Sequence, residues 1–273
     1  MKHSHILNYK HTLYYLCLLV VLVVSSCTTK PKSDVDTPEY HYKAGMRQIE
    51  MNQYSDALTS FQRAVDLDKK FVPGYGGLGL AHAYLGNTKD AKKFVNKAEG
   101  MADKDPDVFT LCARVWITMR NEEKRWYKNA EKLLKKALKR KKDHEGALYY
   151  TGEMQLYRYE FSEAEDYFRR VVEMKGEYSG RADRMWQLSQ KIVRAMPGTP
   201  QGKKVALYEK ITRADLAVLF AEELKINELM SRQSKPAGGF QTPPEMAAAG
   251  TDAGNPTDSK GHWAEVWINE MSG

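Results

Sequence analysis

Cysteine is scarce in this chain: Cys17, Cys27 and Cys112 are the three in 273 residues. Long apolar runs are scarcer still. The stretch "LYYLCLLVVLVV", from Leu13 to Val24, stands out, and it is too short for a comfortable transmembrane helix. Clusters that carry chemistry are missing too. The seven histidines are scattered, and His3, His5 and His11 precede the apolar run. No metal-ligand spacing and no nucleophile with a base appears, and the paired carboxylates Glu122-Glu123 and Glu222-Glu223 read as helix surface. The expectation is a protein that is not an enzyme and holds neither metal nor cofactor. The rest is the composition of an ordinary folded chain, 42% hydrophobic and 28% charged, with length for one or two domains.

The apolar run follows Lys2 and Lys10 and ends in Val24-Ser25-Ser26-Cys27. This resembles the lipobox of bacterial lipoproteins. The resemblance implies a signal peptide over residues 1–26, cleavage before Cys27, and acylation of Cys27, so that the chain meets a membrane through a lipid anchor. Thr28 beside that cysteine is not an aspartate, which by the same resemblance favours the outer membrane of a Gram-negative envelope. Residues 27–37 then form a polar tether. Only Cys112 is left over, as a buried small hydrophobe, so the mature chain has no disulfide. Removal of Lys2 and Lys10 lowers the formal charge from +7 to +5. An exported chain meets no nucleic acid, so this surplus faces envelope polyanions or nothing in particular.

Gly74-Tyr75-Gly76-Gly77-Leu78-Gly79 spells G-x-G-x-x-G, the pattern of a dinucleotide-binding loop. That reading requires a strand before the glycines. The preceding "FQRAVDLDKK" has helical periodicity instead, and Pro73 starts a new helix. A repeat accounts for the glycines better. Gly45 and Gly79 are 34 residues apart, as are Ala57 and Ala91, and Ala64 and Ala98. Gly152 and Ala164 keep the 12-residue gap of Gly45 to Ala57. Small residues at these places let two helices approach, while Phe61 or Phe168 fills the adjoining hole.

This pattern resembles the tetratricopeptide repeat over residues 38–178. Units start at Pro38, Val72 and about Glu145. A third, irregular unit separates Ala113 from Ala130 by 17 residues, five more than its neighbours. The family's proline after the second helix is replaced by Lys69, Asp103, Lys142 and Gly176. The expected fold is all-α, a solenoid of about four helix pairs with a capping helix over 179–197, in which Trp186 and Ile192 pack backwards.

The resemblance implies a groove lined by the first helices, commonly a seat for a peptide or protein partner. By the phase of the repeat it would present Tyr42, Met46, Leu80, Tyr84, Arg114, Tyr149, Glu153 and Tyr157, with Arg114 able to clamp a carboxylate. The same residues could equally be the half-exposed surface of a spacer. The second helix of the third pair, "KRWYKNAEKLLKKALKRKKDH", is densely basic. It reads either as a patch for an anionic lipid, polysaccharide or acidic partner, or as a solvated face.

Farther on, Thr212 and Asp215 form a capping-box-like start to "TRADLAVLF", with Ala214, Leu216, Leu219 and Phe220 as its apolar face and Arg213 thrown outward. Asp258, His262, Trp263, Ala264 and Ile268 begin another helix. These pieces resemble the closing (198–230) and opening (257–273) parts of S-layer homology modules, joined by a Gly-, Pro- and Ala-rich linker over 231–256. The order suggests a fragment that stops in mid-module. The resemblance implies cell-wall polysaccharide binding with Arg213 as a sugar contact. The reading is therefore an envelope scaffold or tether; the other is a periplasmic assembly factor whose groove receives a client peptide.

Overall fold

The computed structural model describes Ser33, residues 35–225 and Glu265. Residues 1–26 and Cys27, expected as signal and lipid site, most of 27–37, residues 231–256, and Asp258, His262, Trp263, Ala264 and Ile268 lie outside the described residues. The chain divides into two compact units. One comprises the described residues up to Met154 with Met174–Tyr178, and the other comprises Gln155–Glu173 and the described residues from Ser179.

Among the described residues all regular structure is helical. In the first unit α1 (Pro38–Glu50), α2 (Tyr54–Leu67), α3 (Val72–Tyr84), α4 (Thr88–Met101), α5 (Pro106–Thr118) and α6 (Trp126–Arg140) alternate, and α7 (Glu145–Tyr157) begins there. α1 packs on α2, α3 on α4 and α5 on α6 as hairpins, and the hairpins stack through α2–α3 and α3–α5. The second unit holds α8 (Phe161–Met174) apart from its last residue, α9 (Ser179–Ala195), α10 (Pro200–Val205), and α11 (Arg213–Val218), which widens into a π turn over Leu219–Glu223.

Three hairpin turns share one geometry. Asn52, Gly86 and Tyr159 each sit at positive φ, at 59°, 74° and 65°. The next residue donates its N–H five residues back, from Gln53 to Gln48, from Asn87 to His82 and from Glu160 to Gln155. This closes each first helix with a Schellman motif. The α5–α6 hairpin departs: seven residues, 119–125, replace three, and Ala130 stands one place later in its helix than Ala57 or Ala91. Together these hold the five extra residues seen in the sequence. The helices stop two residues before Lys69, Asp103, Lys142 and Gly176, so proline is not needed to end them.

Ala57, Ala64, Ala91, Ala98, Ala130 and Ala164 are all fully buried, as the spacing requires. Gly74 to Gly79 lie inside α3, preceded by the turn after α2 rather than by a strand. A side chain on Gly76 would come within 2.5 Å of Leu111 Cδ2, and one on Gly45 within 2.6 Å of Phe61 Cε1. At Gly79 the neighbours are backbone, Val95 N at 3.3 Å and Ala91 O at 3.4 Å. The glycines are contact points between helices, not a phosphate cradle.

Two capping contacts were not legible in the sequence. His144 accepts the Ala147 N–H at Nδ1 (3.0 Å), so Nε2 carries the proton that it shares with Asp107 Oδ1 at 2.9 Å. One histidine thus starts α7 and ties it to the first turn of α5. In the second unit Glu223, expected on a bare helix surface, takes the N–H groups of Gly198 (3.0 Å) and Thr199 (2.8 Å) and the Thr199 hydroxyl (2.6 Å). Glu123 likewise is not bare surface, because it pairs with Lys92. Thr212 and Asp215 do form a reciprocal capping box at α11. Its apolar face differs from expectation: Ala214 and Val218 are buried, whereas Leu216 is exposed. The backbone widens into a π turn immediately after Val218. In α9, Ile192 is buried and Trp186 half-buried.

Candidate protein-binding groove

The first helices of the hairpins carry the residues expected to line a groove, and the structure separates them into two kinds. Leu80 is fully buried, and Tyr149 is 5% exposed. Leu80 therefore belongs to the core and not to an open wall: glycines on α3 draw the helices together and leave no gap above it. Tyr149 packs its ring on Tyr150 at 5.1 Å and on Tyr178 at 5.3 Å. Tyr42 is half-buried against Phe61 (5.8 Å) and Phe71 (5.9 Å). Burial, helped by the nearby Tyr178 oxygen, raises its phenol above the usual tyrosine range. It serves packing. Met46, Glu153 and Tyr157 are half-buried, and Tyr157 falls in the second unit.

The residues that come together lie toward the ends of these helices. Tyr84 is 36% exposed, and its ring stacks on Tyr54 at 4.7 Å with 2° between planes. Its hydroxyl accepts a long 3.5 Å hydrogen bond from the Arg114 guanidinium. Arg114 is 7% exposed and lies over the Tyr150 ring at 5.7 Å. No ion pair engages it among the described residues. Burial opposes its charge, but the Tyr150 and Tyr84 oxygens and the field of Glu153 outweigh that effect and hold its pKa above the usual arginine range. The outcome is a permanent cation with five donors, of which one makes a marginal bond to a neutral hydroxyl. Such a group is costly to bury and suited to a bidentate carboxylate.

Sequence reasoning missed Tyr54 and Tyr150. The repeat could have given Tyr54, because an antiparallel hairpin returns the start of α2 to the level where α1 ends, and stacking carries that level to the end of α3.

A family model described as Tetratricopeptide repeat matches residues 42–106. That span covers most of α1, the whole of α2, α3 and α4, and the first residue of α5. Tetratricopeptide repeats generally serve as non-catalytic scaffolds for protein contacts. No curated protein matches the chain. Cys112 is fully buried beneath the repeat surface, and burial pushes its thiol up to about 12, so it is no nucleophile near neutral pH. Among the described residues no group of His, Cys, Asp and Glu could hold a metal ion, and no helix is long and apolar enough to cross a membrane.

Proposed function

We propose that this chain is a bacterial envelope lipoprotein whose tetratricopeptide repeats hold a protein partner, with Arg114 receiving a carboxylate of that partner. The observation that carries the reading is a buried guanidinium that makes no ion pair among the described residues: it bonds one phenol at long range, lies over another, and feels Glu153 only through its field. Tyr54 and Tyr84 present a stacked aromatic ledge beside it, a rigid surface that loses little entropy on binding. The lipid-anchor part rests on Val24-Ser25-Ser26-Cys27. The test is an array of acidic peptides in paired free-carboxylate and amide forms, read by fluorescence anisotropy on the whole chain. Binders should lose at least about tenfold in affinity with Arg114→Gln and with Tyr84→Ala. Equal binding by the Arg114→Gln chain sinks the carboxylate role.

The C-terminal helix supports a second contact. Arg213 is exposed at the head of α11, where the Thr212–Asp215 box fixes the backbone that presents it. A planar cation so placed suits an acidic sugar of cell-wall polysaccharide. Sedimentation with purified wall polysaccharide decides this part, which fails if Arg213→Ala leaves retention unchanged.

A further inference from the structure

Among the second helices of the hairpins, the excess of positive charge falls on the middle two. α4 and α6 hold ten lysines and arginines against three carboxylates, whereas α2 holds one arginine against two and α8 holds two against four. Solvation alone would place charge of either sign on every such helix. Ala91 and Ala130 fill the same buried position of α4 and α6. Counted from them, Lys89 matches Lys128, Lys93 matches Lys132 and Lys97 matches Lys136. Lys128, Lys132, Lys135 and Lys139 are all exposed and follow i, i+4, i+7 and i+11. That is one stripe about 16 Å long on a single helix face.

The two helices lie side by side. Glu99 of α4 accepts from Lys132 at 3.0 Å and Lys136 at 2.8 Å, and Glu123 pairs back to Lys92. Few acids remain to neutralise the rest. Among the described residues, Lys89, Lys128, Lys139, Arg140, Lys141 and Lys142 have no ion pair.

We infer that this lysine face docks on an anionic lipid bilayer, an inference that rests on the lipid-anchor reading above. The cations spread over two adjoining helix surfaces rather than converging in a cleft, which fits a plane of headgroups better than a single acidic group. The occupant is also close at hand. From Cys27 to Pro38 the chain extends at most about 40 Å, so an anchored molecule keeps this face within reach of the bilayer at high effective concentration. The lipid supplies proximity and the lysines supply orientation, over a range of about one Debye length.

The test uses the full chain carrying Cys27→Ser, which cannot take the lipid, floated with vesicles of phosphatidylcholine alone or mixed with phosphatidylglycerol. Partition onto the anionic vesicles should exceed that onto neutral ones by at least about tenfold at low salt and fall as salt rises. Lys89→Gln, Lys128→Gln, Lys139→Gln and Lys142→Gln together should bring the ratio close to one. Lys43→Gln, Lys70→Gln, Lys191→Gln and Lys210→Gln remove equal charge elsewhere and should leave it unchanged. A ratio near one in the parent chain overturns the inference, as does an equal loss in the second set. Binding to polyglutamate without binding to vesicles overturns it in favour of an acidic protein. Incorporation of labelled palmitate at Cys27, measured separately in cells, distinguishes the two ideas. An unlipidated chain that still prefers phosphatidylglycerol upholds the face and sinks the anchor. A lipidated chain indifferent to lipid charge does the reverse.

Discussion

The ring of Phe61 lies against Gly77 so closely that a side-chain carbon on the glycine would fall within 2.5 Å of Phe61 Cε1. Phe61 is fully buried, and Gly45 meets the same ring from α1. The aromatic ring of α2 therefore fits between two helices only because both lack a side chain there. Gly77→Ala should cost about 1–3 kcal/mol through overpacking, even though alanine is the better helix former. Gly100 is the control, being exposed on α4 with nothing within 4 Å of the place a methyl group would take. There the same change should stabilise by about 0.5–1 kcal/mol. Urea unfolding of both variants checks the pair, and a stabilised Gly77→Ala chain refutes the packing role.

Arg114 should reveal a trade between stability and binding. It is buried, charged and bonded by a single long hydrogen bond to Tyr84. An apolar side chain of similar length removes the desolvation cost without opening a large cavity. Arg114→Met should therefore leave the midpoint of unfolding unchanged or raise stability by about 1 kcal/mol, while acidic-peptide binding is lost. A strongly destabilised Arg114→Met chain would assign the guanidinium to architecture instead.

The fold was legible to the extent that it repeats. Ala57, Ala91, Ala64 and Ala98 declare themselves because a helix–helix contact admits a small residue at the same place in every unit. What depends on neighbours in space was not legible. Leu80 has the phase of a groove residue, yet the small residues around it on α3 let the helices close over it. Arg114 shares that phase and is buried as well, so the repeat gave its position but not its lack of an ion-pair partner among the described residues. Glu223 caps a segment 25 residues earlier, a contact that no local pattern encodes.

Acid should act on the seam between α4 and α6. Burial pushes the Glu99 carboxyl up, but hydrogen bonds from Lys136 and Lys132 outweigh it and hold the group below the usual glutamate range. A carboxyl depressed in the folded state adds stability above its unfolded pKa of about 4.3, and that contribution is lost as pH falls through the folded value. Glu99→Gln should thus be less stable than the parent at neutral pH, and the gap should close progressively below about pH 4.3. Urea midpoints across that range read it directly. A gap that stays constant with pH would show that the lysines do not act through charge.

Glu223 should govern the order of α10. Its carboxylate gathers the Gly198 and Thr199 N–H groups and the Thr199 hydroxyl, and Thr199 Oγ1 in turn accepts the Gly202 N–H at 3.0 Å. A six-residue helix such as Pro200–Val205 cannot persist on propensity alone. Glu223→Ala removes the acceptor that organises its entry, a loss on the scale of a helix cap, about 0.5–2 kcal/mol. Amide exchange at Gly202 and Lys203 should accelerate accordingly, while amides in α1 to α6 keep their protection. The same loss of protection, taken relative to the intrinsic exchange rate at each pH, should appear in the parent chain under acid. Burial raises the Glu223 carboxyl, but the Thr199 and Gly198 bonds depress it further, so its contribution persists above about pH 4.3 and disappears below the folded value. Unchanged exchange at Gly202 in Glu223→Ala would mean that Thr199 caps α10 unaided.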